Sequence, residues 1–316
     1  MNTQEIYELA ISQGLKADLR GETFVHRHLD KLREKYEDLS EKEKLAFDQE
    51  SLTNPYSDSR VLFAGEPKTV KKILAGIDIE GPELLYAQQR GDIDLVIAHH
   101  PWGKALAGLS DVMHLQAQVL ANHGVPINIA ESVIQPRISE VTRGLSPINH
   151  ERVVDFARLL GLDFMCLHTP ADNLSAQFVI KAIEGEGDKL ETVGELVDFL
   201  KTIPEYAAAE KLKSGPKIFA GTPERSLGKV VVTEFTGGTS GSKDIYEKMS
   251  QHGIGTVIGM HMDEEYRKEA EKYHINVIIA GHMSSDSLGM NLLLDKIEKQ
   301  GIEIIPISGL IRVKRF

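Results

Sequence analysis

The stretch DLVIAHHPWG, residues 94–103, carries an apolar run straight into two histidines, a proline and the only tryptophan of the chain. A run that is apolar throughout suits a strand buried on both faces, and such strands belong to largely parallel sheets covered by helices. In open α/β sheets, ligands bind beyond the carboxyl ends of the strands, where loops present side chains without disturbing the core. His99 and His100 therefore stand where such a fold keeps its chemistry.

The same alternation runs outward in both directions. From Val61 the chain reads as strand VLFAG, strand VKKILAGIDI, a helix from Pro82 to Arg90, strand LVIAHH, a helix from Val112 to His123, strand VPINIAE, helix RVVDFARLLG and strand LDFMCLHTP. After a charged stretch with glycines and prolines around one amphipathic helix, it repeats. KVVVTEF, TVIGMH, NVIIAGH and IEIIPIS read as strands, with helices ending near His252, from Asp263 to Tyr273 and from Ser287 to Gln300. This pattern predicts an α/β fold of two similar domains, each a largely parallel or mixed sheet flanked by helices. The expected divisions are a helical N-terminal extension over 1–57, a first α/β domain over 58–187 and a second over 188–316. DLVIAHH and NVIIAGH, with a histidine at the same offset, hint that the halves are related. Within the extension, Leu29, Leu32, Tyr36 and Leu39 recur at helical spacing among charges.

Composition narrows the function. The formal net charge of -11 and the lack of a basic stripe argue against nucleic-acid binding. No apolar run approaches the roughly 18 residues of a membrane span, and the mixed-charge N-terminus does not read as a secretory or transit signal. The single cysteine, Cys166, excludes an internal disulfide and suits a reducing compartment, so a cytoplasmic location is expected.

Four histidines fall at strand ends: His99, His100, His168 and His282. Two of them precede an aspartate by four residues, His168 with Asp172 in HTPAD and His282 with Asp286 in HMSSD. Neutral imidazole with carboxylate is the donor set expected for a first-row divalent ion where thiolates are lacking. Taken singly, each aspartate also fits a helix N-cap and each histidine a hydrogen-bonded strand terminus. Their coincidence favours a metal site. Adjacent histidines on a strand point to opposite faces, so both coordinate only if the backbone turns, which Pro101 promotes.

DLVIAHHP, LHTPAD and VIIAGHMSSD, in this order, resemble the dinuclear-metal family known as GTP cyclohydrolase 1 type 2, or Nif-three-like, proteins. VLFAGEPKTVKKILAGIDI, TVGELVDFLK and VVVTEFTGGTSGS extend the likeness over most of residues 58–316. The resemblance implies two divalent ions, Zn, Mn, Fe, Co or Ni, in a cleft between the domains. It implies His99, His100, Asp172, His282 and Asp286 as their ligands and a ring-shaped homohexamer. Three departures stand out. Asp286 replaces the usual glutamate, GMHMDEEYRKEA has Met260 and Glu264 where the family has aspartate and histidine, and a longer stretch separates the first two motifs.

Two divalent cations against two aspartates leave about two positive charges, which would draw an anionic small molecule such as a phosphate. The expected chemistry is metal-assisted hydrolysis of a nucleotide-like or phosphorylated molecule by an activated water. His168, Glu131 at the end of VPINIA and His261 at the end of TVIGM are the candidate proton carriers. For Glu131 the plain reading is a surface carboxylate, and for His261 a structural histidine. Gly237, Gly238 and Ser240, in a loop read as following a strand and opening a helix, are candidates to position an anion; a tight glycine turn fits equally well. Trp102 reads as a platform beside the metals or as packing. The competing function is a non-catalytic metal-binding regulatory or interaction module.

Overall fold

A computed structural model describes residues 1–316. The chain opens with α1 (Thr3–Ala17), α2 (Glu22–Glu37) and α3 (Glu41–Ala46). Next come β1 (Arg60–Phe63), β2 (Lys72–Gly76), α4 (Gly81–Arg90) and β3 (Leu95–Ala98). Helices α5 (Gly103–Ala107), α6 (Leu109–Val112), α7 (His114–Asn122), α8 (Ile127–Leu145) and α9 (Arg152–Leu160) lead to β4 (Asp163–Cys166) and α10 (Thr169–Glu186). The remainder holds α11 (Val193–Leu200), α12 (Pro204–Lys211), β5 (Lys217–Ala220), β6 (Lys229–Val232), α13 (Ile245–Gln251), β7 (Ile254–Gly259), α14 (Glu264–Lys272), β8 (Asn276–Ile279), α15 (His282–Glu298) and β9 (Glu303–Ile307).

Two mixed sheets result, ordered β1-β4-β3-β2-β9 and β5-β8-β7-β6. In each, three consecutive parallel strands carry one antiparallel edge strand, β1 against β4 and β5 against β8. The halves are thus related strand for strand: β1 with β5, β2 with β6, β3 with β7 and β4 with β8. The hint of related halves holds, through a different pairing of strands. DLVIAHH is β3, whose counterpart is β7, while NVIIAGH is β8, the counterpart of β4. Short apolar runs match one another too easily to set the equivalence. The last strand leaves its own half and pairs in parallel with β2, Lys72 opposite Glu303.

Helices α10 and α15, which follow the equivalent strands β4 and β8, form the layer between the sheets. Ala171, Met290 and Leu294 pack toward the first sheet with Ile73 and Ile97. Ala176, Val179 and Leu288 pack toward the second with Ile258 and Ile278. The two helices touch closely at Gly289, where any Cβ would collide with the Ala171 carbonyl. A glycine there is a steric requirement.

The N-terminal segment is more than an appendage. Ile6, Tyr7, Ala10 and Ile11 of α1 belong to the same buried cluster as Ile73 and Ile97. Burial of the Ile6 and Ile11 side chains contributes about 1.5–3 kcal/mol each. Beyond it, Asp18 holds Arg20 bidentately and accepts from the Tyr56 hydroxyl at 2.8 Å. Asn173 then donates to that hydroxyl at 3.2 Å and accepts from Thr236 at 2.6 Å. One buried network therefore joins the N-terminal segment, the first turn of α10 and the glycine-rich loop.

VPINIAE is not a strand. Residues from Ile127 to Leu145 form α8, with Ala130, Ile134 and Ile138 buried against Val231, Val257 and Val277 of the second sheet. The alternation of Val125, Ile127 and Ile129 mimics a strand over a short window, whereas the spacing of four continues for two more turns. The segment that separates the first two histidine motifs thus packs against the second half.

Candidate metal centre

Strand register assembles the site. Gly76 of β2 lies opposite Ala98 of β3, so two residues beyond each end Asp78 meets His100, with His100 Nδ1 2.6 Å from Asp78 Oδ1. Arg60 of β1 lies opposite Cys166 of β4, and two residues out Asp58 meets His168, with His168 Nδ1 2.8 Å from Asp58 Oδ2. His99 Nδ1 donates to the Leu167 carbonyl at 3.2 Å. These bonds place a proton on each Nδ1 and leave each Nε2 lone pair free, the arrangement that outer partners impose on metal-binding histidines.

The free nitrogens converge with two carboxylates. His99 Nε2 lies 3.4 Å from Asp172 Oδ1 and 3.5 Å from Asp286 Oδ1. His100 Nε2 is 3.4 Å and His282 Nε2 3.5 Å from Asp286 Oδ2. His168 Nε2 is 3.8 Å from Asp172 Oδ2. Helix α15 begins at His282, five residues before the start expected at Ser287, because Gly281 at φ +110° turns the chain into it. That earlier start puts His282 and Asp286 one turn apart on one face.

These spacings exceed hydrogen bonds, and four buried atoms, His99 Nε2, Asp172 Oδ1 and both Asp286 carboxylate oxygens, have no hydrogen-bond partner. Orphaned buried polar groups are costly and call for a ligand. Two donors sharing a tetrahedral ion at about 2.1 Å stand about 3.4 Å apart, which matches. Three sets of donors lie close enough to hold an ion: His99, Asp172 and Asp286; His100, His282 and Asp286; His99, His100 and His168. The donor set fits a divalent metal.

The electrostatics agree. Burial disfavours the His99 imidazolium, but the fields of Asp286 and Asp172 outweigh it and push its pKa well up, so without an ion a proton on Nε2 supplies the positive charge these carboxylates draw, and a bound ion would displace it. Burial works against the Asp286 carboxylate, yet His99 and His100 hold its pKa far below the usual range. Burial lowers His282 to about 4, so it is neutral near pH 7. The hydrogen bond from His100 lowers the pKa of Asp78. Asp58 is fully buried, which opposes ionisation, but its bonds from His168 and Thr169 lower its pKa all the same. The cluster therefore presents carboxylates ready for a cation.

The other sequence candidates divide. His261 reaches the cluster, its ring 5.1 Å from that of His282, and its Nδ1 lies 2.8 Å from Ser240 Oγ. Burial lowers its pKa. Gly238 lines the cleft beside it. The glycine loop does not open a helix, however; α13 starts at Ile245 with Asp244 at its N-cap. The Gly241 amide is donated to Glu234, and the Gly237 carbonyl accepts from Gln116. The loop thus spends polar backbone groups on internal bonds. Glu131 lies away from the centre, exposed on α8 and lining a separate pocket with Arg20, His28 and His114. Met260 is buried in the core of the second half and offers no ligand, and Glu264 is exposed at the start of α14, paired with Arg267.

A pair of like α/β halves with a buried histidine and aspartate cluster at their junction defines the class of protein. Among solved structures, the chain is similar to a NIF3 superfamily protein from Sphaerobacter thermophilus, with 31% identity over 80% of this chain and 92% of that one and a TM-score of 0.72. It belongs to the NIF3 superfamily, the Nif-three-like family its motifs resemble. Reduced HcgD from Methanocaldococcus jannaschii shares the fold at 14% identity and a TM-score of 0.51, covering 85% of this chain and 97% of that one. No family model and no curated protein matches the chain.

Proposed function

We propose that the protein binds two divalent ions and is a metal-dependent hydrolase of a phosphorylated small molecule. The observation that carries this reading is Asp286, whose two orphaned oxygens face different donor sets, His99 with Asp172 on one side and His100 with His282 on the other. A shared carboxylate supports a pair of neighbouring ions. Such ions lower the pKa of a water and polarise a phosphoryl oxygen. The chain's own part is to fix the donors: Asp58, Asp78 and the Leu167 carbonyl orient the imidazoles, and α10 and α15 hold the carboxylates. His168, bonded to buried Asp58 and directed at Asp172, is the best-placed proton carrier, with His261 across the cleft.

Charge gives less help than the ligands alone suggest. Adding Asp58 and Asp78 to Asp172 and Asp286 balances two divalent ions. An anionic substrate would then be drawn by open metal coordination.

A regulatory or interaction module that binds metal without turnover is the second reading. It is favoured by the glycine loop, whose bonds to Gln116 and Glu234 leave it fewer groups for a substrate. No helix is long and apolar enough to cross a membrane, and we place the protein in the cytoplasm as a homo-oligomer, a hexamer by family resemblance. Mass photometry tests the assembly. To test function, metal per chain is quantified and phosphoester and nucleotide hydrolysis assayed with Mn, Zn, Fe, Co or Ni restored. Loss of both metal and turnover in His99→Ala supports the hydrolase; two ions per chain with no turnover across the panel supports the module; and no metal at all sinks both.

A further inference from the structure

The cleft beside the cluster has a lining of two chemistries. The histidines His100, His168, His261 and His282 are joined by an apolar set, Trp102, Leu106 and Leu109 with Val141 and Leu145 from α8, and Glu140 and Thr239 line it as well. The five of the apolar set offer no free hydrogen-bonding group from a side chain, because the Trp102 indole N–H is donated to the Ile79 carbonyl at 2.8 Å. Arg137 is engaged too, donating to the Ser240 carbonyl at 3.2 Å and paired with Glu140 at 2.9 Å. The cleft volume, about 610 Å³, suits a small molecule.

We infer that the wall of Trp102, Leu106, Leu109, Val141 and Leu145 receives an apolar ring, so that the site selects a phosphate ester with a compact hydrophobic body over a purine nucleotide. A purine edge placed there would give up its water for side chains that return no hydrogen bond, whereas an apolar ring gains by leaving water. Two of the five wall residues, Val141 and Leu145, come from α8, in the stretch between the first two motifs. The inference rests on the metal reading for its phosphate end and on the wall for its ring.

Trp102 is the chain's only tryptophan, so its fluorescence reports the wall directly. The full-length, Mn-reconstituted protein is titrated with inorganic phosphate, phenyl phosphate, GMP and benzyl alcohol, following tryptophan emission and heat. Phenyl phosphate is expected to bind about tenfold or more tighter than phosphate, from the burial of one ring, and to shift the emission. GMP should bind more weakly than phenyl phosphate. Val141→Ser and Leu106→Gln should each erode the phenyl preference while leaving phosphate affinity unchanged, which also shows that the variants are folded. Equal affinity for phosphate and phenyl phosphate, or tighter binding of GMP, overturns the inference. A response to benzyl alcohol without one to phosphate upholds the wall and rejects the metal–anion reading; silence to both rejects the wall as well.

Discussion

Replacing Asp286 by asparagine keeps the shape of the side chain and removes its charge. Because its two oxygens lie 3.4–3.5 Å from His99, His100 and His282, the change touches both donor sets. Asp172→Asn touches only the set it forms with His99 and Asp286. An ion at a thousand times its dissociation constant stabilises the folded chain by about 4.1 kcal/mol. A chain of 316 residues unfolds with an entropy of about 0.66 kcal/mol/K, so each ion raises the melting temperature by about 6 °C and two by about 12 °C. Differential scanning fluorimetry of chelated and metal-loaded protein, with metal counted by mass spectrometry, separates the cases. The parent should hold two ions with the full shift, Asp172→Asn one ion with half of it, and Asp286→Asn neither. If Asp286→Asn keeps one ion and half the shift, its carboxylate is not shared and the two-ion reasoning fails.

Further expectations bear on the surrounding structure. Burial raises the Glu234 carboxyl from 4.5 to about 7. The folded state thus holds a proton that the unfolded state has lost, so this group's contribution is whole below pH 4.5 and disappears as pH rises through 7. Glu234→Gln should therefore stabilise the protein at pH 8 by roughly 3 kcal/mol and change little at pH 4.5, read by urea denaturation; no gain at pH 8 would refute a buried ionising carboxylate. Asp78→Asn should weaken metal affinity about 10- to 100-fold through His100, measured by chelator competition. Gly289→Ala should cost about 3 kcal/mol in urea denaturation by driving α15 off the Ala171 carbonyl. An unchanged midpoint would mean that the helices do not touch there.

The motifs that supply the candidate ligands are legible because each is local. His99 and His100 end a strand that is apolar throughout, and His282 precedes Asp286 by one helical turn. Asp58 and Asp78 were not legible, since nothing near them in sequence marks them; they reach His168 and His100 only through the pairing of β1 with β4 and of β2 with β3. A reader who extended those pairings two residues past the strand ends would have found both. Helix α8 reads as a strand because its first residues alternate, and its true period shows only when the window reaches Ile138. The buried face of α1 shows in the helical spacing of Ile6, Ala10 and Ile11, outside the stretch that carries the family likeness. The helix opening with His282 read as starting late because serines and an aspartate in its first turns look like a cap.

The pairing of β9 with β2 also sets an order of events. Residues 72–76 leave the ribosome long before residues 303–307, so one flank of β2 has no hydrogen-bonding neighbour until synthesis is nearly over. A contact this distant in sequence slows closure of the fold and favours late, concerted completion of both halves. A chain stopped short of residue 303 would keep all five candidate ligands and still lack the strand that finishes the first sheet.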